Sequence, residues 1–252
     1  MNDTILKTTG ITKRYGGKAA VDNISMTIHE GDIYGLIGRN GAGKTTLMRL
    51  ITSLTSADSG KIELFGETST TGLMKARRRM GCVIETPALY PNLTASQNLE
   101  YFRILRRIED KRVIEKSLKT VALEGTGKKK FRDFSLGMKQ RLGLALALLN
   151  NPDFIILDEP NNGLDPMGIV EMRETIVRLC QEHGITIMIS SHILSELSMT
   201  ATRYGIINNG RLIKEMTNNE LKAQSTIGGN LEDYFVSLVG TDNMSNDGKR
   251  GR

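Results

Sequence analysis

Apolar positions along this chain fall mostly into short runs of strand length, separated by turn residues or by stretches with a helical period. Residues 5–9 and 13–15 alternate apolar and polar side chains before the turn pair Gly16-Gly17. Val21, Ile24, Met26 and Ile28 alternate again, and Lys61-Ile62-Glu63-Leu64-Phe65 follows the turn Ala57-Asp58-Ser59-Gly60. Such alternation predicts strands with one buried face. The runs at 33–37, 81–84, 154–157 and 185–189 are instead almost continuously apolar. These predict strands of a mostly parallel sheet, covered on both faces. Residues 204–207 and 211–215 close the strand set around Asn208-Asn209-Gly210.

Helical patterns fill the gaps. Leu47-Met48-Arg49-Leu50-Ile51 continues from a glycine-dense turn, and 167–181 and 192–201 separate later strands. Thr94 and Gln97 form a capping box that opens a helix reaching about residue 107. Residues 111–123 and 137–149 make two more helices, and no strand-like run lies between Ile84 and Phe154. The pattern therefore predicts an α/β core over 1–86 and 151–216, with an antiparallel β portion at its N-terminal side and a helical subdomain inserted at 87–150. Leu231, Tyr234, Phe235 and Leu238 have i, i+3, i+4, i+7 spacing, so 217–240 is expected to be a helical appendage. Residues 241–252 are polar and expected to be disordered.

Composition narrows the class. With 39% hydrophobic and 25% charged residues the chain has an ordinary soluble composition, and its 252 residues suit one large domain or a domain with a subdomain. No apolar run approaches the ~18–20 residues needed to cross a membrane. Met1-Asn2-Asp3-Thr4 lacks the regions of a signal peptide, so a cytoplasmic location is expected. The net charge of +6 is spread over clusters at 77–79, 106–107, 128–130 and 249–250. Their scatter favours solvated surface, or a face near anionic lipid, over nucleic-acid binding. Cys82 and Cys180 are expected to be buried, reduced thiols.

The chemistry concentrates at a few places. Gly38-Arg39-Asn40-Gly41-Ala42-Gly43-Lys44-Thr45-Thr46 sits between a predicted strand and a predicted helix, and it reads G-x-x-x-x-G-K-[ST]. The glycines let the backbone take φ > 0 and bring its N–H groups to phosphate oxygens. The helix start adds a positive dipole end. Lys44 is placed for β/γ-phosphates and the Thr45 hydroxyl for Mg²⁺. Phe154-Ile155-Ile156-Leu157-Asp158-Glu159 ends an apolar strand in two carboxylates on the same predicted sheet edge. Asp158 suits Mg²⁺ coordination through its water shell, and Glu159 suits polarising an attacking water. His192, after Ser190-Ser191, falls on that edge too. Ser135 and Gly137 open a helix and offer a weak anion site.

Taken together, in this order, these motifs resemble the ATP-binding subunits of ABC transporters over about residues 5–216. Residues 38–46 resemble the Walker A motif, 154–159 Walker B, 134–141 the signature motif, 162–165 the D-loop and His192 the switch histidine. Tyr15 matches the aromatic that stacks on adenine. The resemblance implies ATP and Mg²⁺ as cofactors, with Tyr15, Asn40, Gly41, Ala42, Gly43, Lys44, Thr45, Thr46, Ser135, Gly137 and Asp165 at the nucleotide. It implies Glu159, His192 and Lys44 as catalytic groups and Thr45, Glu85 and Asp158 as metal ligands. It also implies a head-to-tail second ATP-binding subunit, a homodimer being permitted, in which Ser135 and Gly137 of one copy cover ATP on the other. A separate integral-membrane permease would hold the pair at the inner face of the membrane.

Two departures from the family pattern stand out. Leu136 and Met138 replace Gly and Gln of the common signature, and Glu85 replaces a usual Gln. Glu85, with Glu-Leu-Ser at 196–198 and Leu-Glu-Asp-Tyr-Phe at 231–235, resembles the subfamily that exports bacitracin and lantibiotic-type peptides. The expected function is therefore ATP-driven export of, or protection against, an amphipathic antimicrobial peptide. The alternative is a soluble ABC-type switch acting on ribosomes or DNA, which only the net charge supports. Leu89, Tyr90 and Pro91 are candidate anchors for the permease, with core packing as the competing reading.

Overall fold

The computed structural model describes residues 3–85, 88–228 and 231–247, with side chains throughout except at 224–228 and 241–247. In chain order the strands and helices are β1 (Thr4–Tyr15), β2 (Lys18–His29), β3 (Ile33–Ile37), α1 (Lys44–Ile51), β4 (Ser59–Leu64), α2 (Thr70–Ala76), β5 (Met80–Val83), α3 (Ala95–Leu105), α4 (Arg112–Thr120), α5 (Leu136–Leu148), β6 (Phe154–Leu157), α6 (Pro166–His183), β7 (Thr186–Ser191), α7 (Leu194–Ser198), β8 (Arg203–Asn208), β9 (Arg211–Thr217), α8 (Asn218–Gly228) and α9 (Leu231–Asp247). The alternating N-terminal runs form an antiparallel sheet, order β2-β1-β4. The continuous apolar runs form a second sheet, order β5-β6-β7-β3-β8-β9, parallel except for β9.

Period-two alternation within the second sheet divides the core in two. Ile155 and Leu157 of β6, and Ile187 and Ile189 of β7, pack with the helical insert, α6 and α7. Phe154, Ile156 and Met188 face the other way, onto α1 and the antiparallel sheet. Every residue of β3, β6 and β7 is buried, which is why these strands read as unbroken apolar runs. Parallel pairing of β6, β7 and β3 then brings Asp158, Ser191 and Gly38, which follow or end these strands, to one edge.

The insert is helical, as the pattern predicts, with α3, α4 and α5 around one isolated bridge between Thr94 and Lys130. The capping box forms: Gln97 N–H donates to Thr94 Oγ1 at 3.2 Å, and Thr94 N–H donates to Gln97 Oε1 at 2.9 Å. Helix α5 lies directly on β5, because a Cβ on Gly81 would stand 2.4 Å from the Ala147 carbonyl oxygen. Leu89 is in the core, whereas Tyr90 is half exposed and stacks edge-on to Tyr101 with ring centroids 4.6 Å apart.

Three expectations change. The chain forms α2, capped by Ser69 accepting from Gly72 N–H at 3.0 Å, where the sequence pattern gives no apolar period. Helix α9 runs to Asp247, so 241–247 is helical where disorder is expected; residues 248–252 of that predicted tail lie outside the described residues. A helix started by packed residues such as Phe235 and Val239 extends one hydrogen bond at a time, past sequence that would not nucleate one. The cysteines are free but not buried: Cys82 is exposed and Cys180 half-buried. β5 is the edge strand of its sheet, where Cys82 is reached by solvent although Met80 beside it packs on the core.

Asn98, fully buried on α3, holds the entry to the insert. Its Oδ1 accepts from Tyr90 N–H at 2.7 Å, and its Nδ2 donates to the carbonyls of Tyr90 and Thr94 at 3.2 and 3.0 Å. Asn98→Ala leaves the Tyr90 N–H without a partner, while the Tyr90 and Thr94 carbonyls keep bonds from the Leu93 and Asn98 N–H groups; it is expected to destabilise the chain by about 1–3 kcal/mol in urea denaturation.

Candidate functional site

The loop from Gly38 to Gly43 is possible only without side chains at its ends. A Cβ on Gly38 would stand 2.5 Å from the Ile207 carbonyl oxygen, and one on Gly43 2.4 Å from that of Ala20. Gly41 and Gly43 have φ of 79° and 111°, values at which glycine alone is unstrained. The loop is thus threaded between the end of β8 and the β1–β2 hairpin. Gly210 N–H donates to the Ala42 carbonyl at 2.8 Å and fastens it there. Gly43 caps α1 without a side-chain hydrogen bond, so the first turn of that helix opens toward any anion in the loop.

Lys44 begins α1 and is 4% exposed. Its ammonium donates to the Gly38 carbonyl at 2.6 Å and pairs with Glu159 Oε1 at 3.0 Å. Thr45 Oγ1 donates to Asp158 Oδ2 at 2.8 Å. Ser190, the penultimate residue of β7, completes the constellation. It donates to Asp158 Oδ1 at 2.7 Å and accepts from Glu159 N–H at 2.9 Å. Glu159 itself adopts φ of 46°, a left-handed conformation that a non-glycine residue holds only under constraint. That turn sends its carboxylate to both Lys44 and His192, whose Nδ1 lies 3.0 Å from Glu159 Oε2.

The structure therefore brings Lys44, Thr45, Asp158, Glu159 and His192 into one connected network. Ser190 is the residue that sequence reasoning underrates; its signal is a hydroxyl at the end of an apolar strand, beside the histidine. Asn40, Gly41 and Ala42 line a cavity of about 870 Å³ with His192 on one side and Phe235, Val236 and Val239 of α9 on the other. Tyr15 is half exposed at the tip of the hairpin that braces the loop. Thr46 sits in the first turn of α1.

Ser135 and Gly137 are not part of that network. Ser135 Oγ accepts from Met138 N–H at 3.3 Å as the cap of α5. A Cβ on Gly163 would meet Leu136 Cδ2 at 2.7 Å, so this turn rests on the 163–164 loop. Asp165, expected at the nucleotide, caps α6 by accepting from Gly168 N–H at 2.8 Å. A helix that opens with Pro166 needs such a cap, and the carboxylate serves it.

Glu85, expected as a metal ligand, has an ion-pair partner. Its carboxylate pairs with Arg49, from the last turn of α1, at 2.5 Å and stays 62% exposed. The residue has φ of 60°, and Thr86 and Pro87 beyond it lie outside the described residues. Among the described residues, no three His, Cys, Asp or Glu side chains stand close enough to hold a metal by themselves. The Thr45 hydroxyl and Asp158 carboxylate are adjacent, however. Two hard oxygen donors beside a phosphate loop fit Mg²⁺, which keeps several waters and takes phosphate oxygens for the remainder.

Comparison with known proteins identifies the family. The ABC transporter family profile matches residues 21–162. The bacitracin transport ATP-binding protein BcrA of Bacillus licheniformis is 48% identical over 222 residues, which cover 88% of this chain and 72% of that protein. The lantibiotic transport ATP-binding protein SrtF of Streptococcus pyogenes is 44% identical over 238 residues, covering 93% and 97%. Among solved structures, CbiO1 of Clostridium perfringens, part of the ABC transporter complex CbiONQ, superimposes with a TM-score of 0.79 at 29% identity over 89% of this chain and 93% of that one. A dimeric post-hydrolysis state of the ATP-binding cassette MJ0796, bound to ADP and Pi, gives 0.76 at 26% identity over 85% and 99%. With a phosphate loop, paired carboxylates and a histidine joined in one network on this fold, the chain belongs to the ABC transporter family as an ATP-binding, ATP-hydrolysing subunit.

Proposed function

We propose that this subunit drives export of an amphipathic antimicrobial peptide of the bacitracin or lantibiotic type, through a separate membrane permease, and so protects the cell. The observation that carries the catalytic part is the position of Glu159, 3.0 Å from both Lys44 and His192. A buried ammonium needs an anionic partner. With ATP in the loop the β/γ-phosphates take that place, and Lys44 releases Glu159. The carboxylate then accepts a proton from the water that attacks the γ-phosphorus in line. His192 keeps Glu159 aimed and contacts the same phosphate. Thr45 and Asp158 would hold Mg²⁺, which supplies charge neutralisation between the phosphates.

The Ser135 hydroxyl bonds within its own helix start and Gly137 has open space beyond Leu164, which supports their use on a second copy. The dimeric form of MJ0796 is a precedent. No helix among the described residues is long and apolar enough to cross a membrane; membership of the ABC transporter family supports assigning the span to a permease and this chain to the cytoplasmic face. Tyr90, Tyr101, Ile104 and Leu105 offer that permease an exposed apolar patch, three of them at i, i+3, i+4 on α3. The peptide substrate is taken from BcrA and SrtF, which align over most of this chain.

Glu159→Gln is expected to lower turnover by about 10²–10⁴-fold, the worth of a general base, while retaining ATP binding. The same variant should accumulate as an ATP-dependent dimer in size-exclusion chromatography; turnover at the parent rate would remove Glu159 from the mechanism. Cells lacking the gene are expected to become more sensitive to at least one bacitracin- or lantibiotic-type peptide in growth inhibition, and to recover with the parent gene but not with Glu159→Gln. Unchanged sensitivity across such peptides would sink the substrate assignment.

A further inference from the structure

Glu159 and His192 stand on loops that leave two neighbouring strands, β6 and β7. Parallel pairing fixes those strands only as far as Leu157 opposite Ile189. Beyond that point a third carboxylate joins the loops. Glu196 Oε2 accepts from Asn161 Nδ2 at 3.3 Å and from Ser191 Oγ at 3.4 Å. Asn161 lies two residues past Glu159, and Ser191 immediately precedes His192. Ser191 Oγ also accepts from Ile193 N–H at 3.0 Å, and the Ser191 carbonyl accepts from Gly38 N–H at 3.3 Å, so the same residue touches the phosphate loop.

We propose that Glu196 is a positioning residue for ATP hydrolysis, which sets the spacing of Glu159 and His192 by holding Asn161 and Ser191 on one carboxylate oxygen. The proposal rests on the assignment of Glu159 as the base. A carboxylate suits the task because it only accepts, and both of its neighbours donate. Its charge strengthens both bonds. Asn161, Ser191 and Glu196 line a cavity of about 150 Å³ together with Glu159 and His192. Asn161 Oδ1 is buried there without a protein partner, so the amide is held at its Nδ2 end, by Glu196. A buried acceptor left in this state is costly enough to need a reason, and a polar cavity of this size admits an ordered water to it.

Glu196 is not needed to keep its own helix in place. Helix α7 is docked by Leu194 and Leu197, each 1% exposed, and its Ser195 N–H is capped by Glu232 Oε1 at 3.1 Å. Loss of the Glu196 carboxylate therefore loosens the two loops rather than the fold.

The test is a double-mutant cycle on the full chain, with steady-state ATPase activity and titration of a fluorescent ATP analogue as readouts. Glu196→Ala and Asn161→Ala are each expected to lower kcat by about 10–100-fold, the scale of an ångström's misplacement, with analogue affinity within about twofold of the parent. The double variant should be no worse than Glu196→Ala alone, since both act through one contact. Glu196→Gln should recover most of kcat, because its amide can accept from Asn161 Nδ2 and donate to the free Asn161 Oδ1. Parent kcat in Glu196→Ala, multiplying losses in the double variant, or no recovery in Glu196→Gln would each overturn the proposal. If Glu196→Ala fails to fold, Glu196→Asp, too short to reach both donors, replaces it with the same expected loss. Glu159→Gln is run in parallel. If that variant is active, the base assignment fails; if it is inactive and Glu196→Ala is not, the positioning role alone falls.

Discussion

A lysine ammonium with 4% exposure cannot stand alone, and much of this site follows from that constraint. Lys44 is buried because it opens α1 directly after a glycine loop wedged between β8 and the β1–β2 hairpin. Its charge is met by the Gly38 carbonyl and by Glu159. Glu159 can reach it only by leaving β6 in a left-handed turn, and that turn is held by Ser190, which also grips Asp158. Asp158 in turn holds Thr45, the neighbour of Lys44. The chain of contacts closes on itself.

Such closure makes nucleotide binding an exchange rather than an addition. The groups suited to phosphate and Mg²⁺ are already paired with one another, so a triphosphate gains only the difference between new bonds and old ones. The geometry of the site depends on the sheet: β6, β7 and β3 are neighbours, and their carboxyl ends deliver an acid pair, a hydroxyl–histidine pair and a phosphate loop within bonding reach.

Much of this was legible in the sequence because backbone constraints leave local marks. Gly38 and Gly43 mark a loop with no space for Cβ, and the unbroken runs at 154–157 and 185–189 mark strands covered on both faces. Contacts made across strands leave no such mark. Ser190 gains its role from the adjacency of β6 and β7, and Glu196 from two loops that meet on α7. Glu85 pairs with Arg49 of α1, a contact between separate elements that the local sequence does not announce. Helix α2, with Gly72 in its first turn, lacks an apolar period, and Cys82 is apolar-flanked yet lies at a sheet edge. Pattern reports which residues are buried along a segment; it does not report which segment lies alongside.

Helix α1 has a further property. It is eight residues long, about 12 Å from end to end, and rigid on that scale. One end is the phosphate loop; at the other, Arg49 is clasped to Glu85, the residue that leads out of β5 toward the exposed Tyr90. The helix thus works as a short strut between the nucleotide and the rim of the insert. Its far joint is an ion pair in water, weak and sensitive to salt, whereas its near joint is buried. A strut with one fixed end and one releasable clasp can be engaged and disengaged without disturbing the site it is anchored in.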